Sequence, residues 1–300
     1  MTDQLYSGPH WKVDTNRFIT DMGIISEFPV GASQYFCLSL EKIGESSFLM
    51  IYATDRDYVF TDYIRIENDV VYDPERHYFL RPALLLSLVR TYHDFVFAFG
   101  EKGQLYFHND IVHYELKPLT IDLKSFPQAN FDLIDSQGSS FKLPDFALAS
   151  AKKMLDFSAK IVDNKVVWTG NKLRGSFLVY AFSFEFTGLE ETKPVFLRKT
   201  DVALLSSIVS AFNDLEFTVD EHRFYVSSGG MGFSFLLVPG SSAKLSSVVA
   251  KEEYGKVTFD LANLSRMLSF SRVEEGISTI VFTPIRDNGV EARLGTFGRF

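Results

Sequence analysis

One cysteine, Cys37, stands in 300 residues. That count excludes an intrachain disulfide and any cysteine-based zinc cage. Cys37 sits in the apolar run Tyr35-Phe36-Cys37-Leu38, where a thiol reads as a small core residue. Long apolar runs are missing too. No stretch of about 18 such residues offers a membrane span, and the opening MTDQLYSGPHWK lacks the apolar centre of a signal peptide. Both absences point to a cytosolic, reducing environment. Positive charge is also in short supply, since the formal net charge is −8. A nucleic-acid binder that works by bulk basicity is excluded, which leaves only a local basic patch inside an acidic shell.

Catalytic constellations are equally scarce. The six histidines are scattered at 10, 77, 93, 108, 113 and 222. His108 and His113 share a strand region, but their odd spacing is expected to put them on opposite faces. Asp55 and Asp57 share a strand face, yet Arg56 between them and the hairpin context read as a solvated turn. No Gly-x-Ser-x-Gly elbow is present. Gly229-Gly230-Met231-Gly232 is the one glycine cluster. A phosphate loop must open a helix, whereas this cluster lies between two strands and is expected to be a hairpin turn. No enzymatic activity, metal or cofactor is expected.

What the chain does hold is core. Hydrophobic residues make up 46% and aromatics 15%, with 30 Phe and 13 Tyr against two Trp and six Met. Such aromatic weight leans towards strands, and the length fits about two domains or three small ones.

The chain also repeats itself. LLLSLVRTYHDFVF (84–97) matches LLSSIVSAFNDLEF (204–217) at a constant offset of 120, with identities at Leu84, Leu85, Ser87, Val89, Asp94 and Phe97. Phe79-Leu80-Arg81 recurs upstream as Phe196-Leu197-Arg198. A second pair of segments, 141–158 and 259–271, shares Met-Leu and Phe-Ser steps, and 18–28 is a weaker third member. Positions 84, 85, 88, 89 and 92 form a one-sided helical stripe that returns at 204, 205, 208, 209 and 212. Short alternating strands follow, as in 215–238. The unit therefore reads as strand, helix, then two or three antiparallel strands. The organisation expected is a first domain at 1–120 and a second at 121–250, opened by the connector 118–140. A partial third unit fills 251–300, its helix-strand-strand segment beginning at 256.

Helices in such a repeat gain a binding function if they share an exposed basic face. Opposite the apolar stripe lie Lys152, Lys153 and Lys160 in the helix expected at 146–160. Arg266 and Arg272 follow at 261–273, with Arg90 at 84–93 and Arg17 in the first segment. Side chains of this kind can track a phosphate backbone without reading sequence. The helix at 201–213 is neutral, with Ser206, Ser207, Ser210 and Asn213 on its polar face, and Asp21 and Glu27 oppose the trend near the first helix.

The doubled strand-helix-strands unit resembles the DNA sliding-clamp family of polymerase processivity factors. The likeness is carried by 77–119 and 196–240, which look like the second halves of successive clamp domains. The stretch 124–160 is similar to the bacterial beta clamp's passage from its first domain to its second, and the ending Thr296-Phe297-Gly298-Arg299-Phe300 is similar to that clamp's apolar-Arg-apolar terminus. The resemblance implies an α+β clamp fold of antiparallel sheets with helices on one face. It also implies a ring, as a dimer of six units or a trimer of four, against four good units and a fifth short by a strand counted here. The partners implied are sequence-nonspecific double-stranded DNA, a DNA polymerase and a clamp loader, in a homo-oligomer with no membrane contact. On this resemblance Arg17, Arg90, Lys152, Lys153, Lys160, Arg266 and Arg272 face DNA. The family's partner-peptide pocket falls on Leu123, Phe126, Pro127, Val238, Pro239 and Phe297. Departure from the ring count suggests a phage or viral origin, hence the host cytoplasm. The rival is a repeat-built structural or protein-interaction module that never touches DNA, for which helix faces should be mixed in charge rather than net basic.

Overall fold

The structure, a computed structural model, describes residues 10–28, 36–55, 57–66, 77–99, 104–117, 139–142, 165–177, 180–186, 190–219, 222–237, 277–284 and 292–295, with Lys152, Leu155, Asp156 and Ala159. Along the chain run β1 (His10–Trp11), α1 (Thr15–Ser26), β2 (Phe36–Ile43), β3 (Ser46–Thr54) and β4 (Tyr58–Arg65). The same order returns as β5 (His77–Leu80), α2 (Pro82–Thr91), β6 (Val96–Phe99), β7 (Leu105–His108) and β8 (His113–Leu116). A third pass gives β9 (Ser139–Lys142), β10 (Lys165–Gly170), β11 (Lys172–Phe177) and β12 (Tyr180–Phe186), with the helical residues Lys152, Leu155, Asp156 and Ala159 between its first two strands. The fourth is β13 (Glu191–Arg198), α3 (Lys199–Ala211), β14 (Glu216–Val219), β15 (Arg223–Ser228) and β16 (Met231–Leu236), after which come β17 (Ile277–Pro284) and β18 (Ala292–Gly295).

Each pass is thus strand, helix, three strands. The strands pair in the orders β1-β6-β7-β8 and β5-β2-β3-β4, which reappear as β9-β14-β15-β16 and β13-β10-β11-β12. In both cases the leading strand of one pass joins the three-strand meander of its sibling, as when Trp11 pairs with Phe97 and Phe36 with Leu80. All the registered pairs are antiparallel, as short hairpin links require. The chain divides into two compact units, Met1–Leu133 with Ser227–Phe235, and Ile134–Val226 with Leu236–Phe300. Within the first, β16 adds to β4 with Phe233 opposite Phe60. Within the second, β17 adds to β12 and β18 to β17.

Local chemistry sets the element ends. Asp14 caps α1 by accepting from the Arg17 amide at 3.0 Å. Pro82 opens α2 at its first turn, where its missing N–H costs nothing. Gly44 and Gly229, at φ 63° and 57°, turn the β2–β3 and β15–β16 hairpins, a conformation that glycine adopts without a Cβ clash. The glycine cluster is therefore the hairpin turn expected. Alternation buries one face of β7 and β15, whereas β2, β3 and β4 are buried along continuous runs. In the first unit Trp11 stacks on Phe97 at 4.5 Å and Phe95 on Phe107 at 4.7 Å, with Phe18 from α1 edge-on to both Phe95 and Phe97. In the second, Trp168 meets Phe217 at 5.2 Å and Phe224 at 6.0 Å. Each such pair adds about 0.5–1.5 kcal/mol beyond the area it buries. Cys37 is buried as expected, and burial pushes its thiol up to about 12, so it stays protonated and unreactive.

Candidate nucleic-acid interface

The helices carry the charges that matter, and their acids turn inward. On α1, the Arg17 guanidinium donates to both carboxylate oxygens of Asp62 on β4, from Nε at 2.5 Å and Nη2 at 3.0 Å. Asp21, one turn on, lies 3.9 Å from the same Nε. On α3, Asp201 accepts from the Arg198 amide at 2.6 Å and from its Nη2 at 3.0 Å. Asp21 and Asp201 are both fully buried. Among the described residues, the helix charges left exposed are Arg90, Lys152 and Lys199 against Asp156, and the acidic end residues Asp14 and Glu27 of α1 are exposed too. Arg90 lies in the last turn of α2, where the helix dipole favours a cation. Lys152 donates from Nζ to the Ser210 carbonyl at 3.3 Å, which ties its segment to the last turn of α3.

Of the seven basic residues expected to face a polyanion, Arg90 and Lys152 are exposed, and Arg17 is partly exposed with its guanidinium engaged by Asp62. Lys153, Lys160, Arg266 and Arg272 lie outside the described residues. So do all six residues of the expected peptide pocket, Leu123, Phe126, Pro127, Val238, Pro239 and Phe297. Sequence reasoning missed Asp62, which sits 45 positions from Arg17 and becomes its partner only when β4 packs on α1. The Arg198–Asp201 contact had a legible signal, an acid three residues into a helix beside the N-cap.

Asp21 is the electrostatic anomaly of this region. Neither of its oxygens meets a donor. Burial, then the charge of Asp62, pushes its carboxyl well above the usual range. Gly230 closes the site from the β15–β16 turn, where a Cβ would fall 3.2 Å from the Tyr63 carbonyl and 3.6 Å from Asp62 Oδ1. Arg17 and Asp62 thus tie α1 to β4, with Asp21 buried beside them.

The histidines correct one expectation. His108 and His113 are direct cross-strand partners in the β7–β8 hairpin, with ring centroids 5.6 Å apart. Their odd spacing would separate them along a single strand, but a turn lies between them and returns the chain on the same face. Among the described residues, no three metal-ligating side chains gather, and no helix is long and apolar enough to cross a membrane. Asp55 falls in the β3–β4 turn, its amide bonded to the Tyr58 carbonyl at 2.9 Å, as the hairpin reading of that pair required.

No family model and no curated protein matches the chain. Solved structures do. The beta clamp of Helicobacter pylori bound to a DNA ligase peptide superposes with a TM-score of 0.60 at 15% identity, over 95% of this chain and 84% of that one. The DNA polymerase III beta subunit of Pseudomonas aeruginosa gives 0.63 at 13% identity over 95% and 83%. The polymerase sliding clamp of Caulobacter crescentus gives 0.63 at 16% over 95% and 82%. The chain has the DNA sliding-clamp fold. Agreement over so much of both chains at so little identity is agreement in fold. The clamp fold's repeated module accounts for the paired sheet orders and for helices that share a position in every pass. It is the α+β architecture that the repeats implied.

Proposed function

We propose that the protein is a sliding clamp, a processivity factor that acts on duplex DNA by topology and catalyses nothing. The observation that carries this reading is the fourfold strand-helix-three-strand module, matched to solved clamps over 95% of the chain. In the proposal, copies of the chain assemble into a ring, helix faces line its opening, and Arg90 and Lys152, with Lys153, Lys160, Arg266 and Arg272, meet phosphates without reading bases. Arg17 joins them through whatever part of its guanidinium Asp62 leaves exposed. A tethered polymerase then gains effective concentration at the primer end. The pocket for partner peptides is Leu123, Phe126, Pro127, Val238, Pro239 and Phe297. A loader opens the ring. Identity of 13–16% with bacterial clamps supports a phage or viral source working in its host's cytoplasm. Burial of Asp21 and Asp201 removes two acids from the helix faces, which supports the basic-face reading, while exposed Asp14, Glu27 and Asp156 are what the interaction-module rival would predict.

Electron microscopy with native mass from the same sample tests the ring. A closed ring with a duplex-sized hole is expected, and its mass gives the stoichiometry. Charge reversal tests the face. Lys152→Glu with Lys153→Glu should abolish stimulation of the cognate polymerase while the fold survives. The same change should flatten the salt dependence of DNA binding by about 0.9 log units per lost phosphate contact. Unchanged stimulation and slope would remove these residues from the interface. A compact monomer with no salt-dependent DNA binding would favour the interaction module.

A further inference from the structure

We propose that His108 and His113 form a two-imidazole site for a divalent transition-metal ion of the zinc, nickel and copper class. The inference rests on the β7–β8 hairpin and is independent of the clamp reading.

Three observations build the site. First, the loop is pinned. Asn109 takes the Ile111 and Val112 amides on its side-chain oxygen at 2.8 and 2.9 Å, and its own amide bonds the Val112 carbonyl at 3.0 Å. Second, that backbone bond sets the ladder's phase. Asn109 and Val112 form the hydrogen-bonded pair, so the next pair outward, His108 with His113, takes the non-hydrogen-bonded position. There Cα atoms approach to about 4.5 Å and side chains lie closest. The rings accordingly sit 5.6 Å apart, 25° from parallel. Two metal–nitrogen bonds of about 2.0–2.1 Å span a bite that rotation about the side-chain torsions reaches from this spacing. Third, the pair is open to solvent. Strand β8 stands at the end of the order β1-β6-β7-β8, with His113 exposed and His108 partly so. Exposed Glu115, two positions along β8 and so on the His113 face, adds negative charge that favours a cation without joining the ligands.

Imidazole nitrogen selects borderline metals over magnesium or calcium, which prefer oxygen. With two protein ligands, water completes the coordination. The bound ion staples β7 to β8 at the sheet's end. His77, His93 and His222 stand apart from this pair. His77 lies 3.8 Å from buried Cys37, while His93 and His222 lie far from the hairpin in sequence and outside its register.

Equilibrium dialysis of the full chain against NiCl2 or ZnCl2 at neutral pH should show one saturable ion per chain. His108→Ala and His113→Ala should each weaken binding by more than about ten-fold, the least that losing even an outer-shell partner costs a metal site. His93→Ala and His222→Ala should leave it unchanged. Electron paramagnetic resonance of the Cu2+-loaded wild type reads the ligands without any variant, and coupling to two imidazole nitrogens is expected. No saturable ion, binding that survives both alanine variants, or a spectrum with fewer than two imidazole nitrogens would each overturn the assignment.

Discussion

Leu84 and Leu204 occupy matched places in the repeat and meet opposite surroundings. Leu84 is 61% exposed on α2, and Leu204 is 1% exposed on α3. Their neighbours Leu85 and Leu205, and Val89 and Val209, are buried in both helices. The shared stripe is therefore narrower than the five positions that repeat. The offset between the halves explains part of this. Arg81 and Arg198, the two N-cap residues, stand 117 positions apart, whereas the helical stripes stand 120 apart. Three extra residues, Lys199 to Asp201, give α3 13 residues against 10 in α2 and seat its start with the Arg198–Asp201 pair. α3 packs on β10 and β13, while α2 packs on α1. One module thus buries a wider helical face in its second appearance than in its first.

The deepest shared positions should respond alike. Phe97 and Phe217 are both fully buried, each against a tryptophan. Phe97→Ala and Phe217→Ala should each cost about 3–5 kcal/mol in chemical denaturation. A loss confined to one half would show that only that half's core carries the stability. The flank should respond unequally. Leu204→Ala should cost about 2–5 kcal/mol and Leu84→Ala within about 0.5 kcal/mol. Equal costs would mean that Leu84 is covered in solution, and the comparison would then collapse into simple repetition.

How much of this the sequence disclosed follows the range of each interaction. The stripe, the hairpin turn at Gly229 and Gly230, and the order strand, helix, then two or three strands were legible, because they depend on spacings of a few residues. The opposite fates of Leu84 and Leu204 were not legible, since identical residues in matched patterns differ only through what packs against them. The His108–His113 pair was missed because strand parity holds along one strand and fails across a turn. Asp62 was missed because nothing local ties β4 to Arg17. The basic face was an expectation read residue by residue; of the two acids the sequence set against it, Asp21 turns inward and Glu27 stays exposed.

A smaller effect concerns the helix starts. Asp201→Asn should cost about 1–3 kcal/mol through the loss of charged hydrogen bonds to Arg198. Leu84 holds the equivalent third helical position of α2, exposed and with no acid to offer. Leu84→Asp should therefore raise stability by about 0.3–1 kcal/mol through the helix dipole, read as a shift in the denaturation midpoint. Such a gain would show that the absent cap is one reason the first helix is the looser copy.

The two buried helix acids carry the subtlest contrast, because Asp201 is bonded to Arg198 and Asp21 has no donor. The Asp21 carboxyl is raised, by burial first and then by the charge of Asp62. Above the ordinary carboxylate value of about 3.9 the unfolded chain releases this proton while the folded chain keeps it. The unfolded state then binds fewer protons, so this group makes stability fall as pH rises, until Asp21 ionises in the folded protein. Asp21→Asn cannot ionise, and it can donate to Asp62 from its amide. It should flatten the fall and leave the variant more stable than wild type at the alkaline end of the range. Asp201→Asn should remain less stable than wild type at neutral pH, since it gives up bonds that are already made. Parallel stability curves for wild type and Asp21→Asn would mean that Asp21 is ionised in the folded chain. Its charge would then have to be met by Arg17, drawing that guanidinium further from any phosphate.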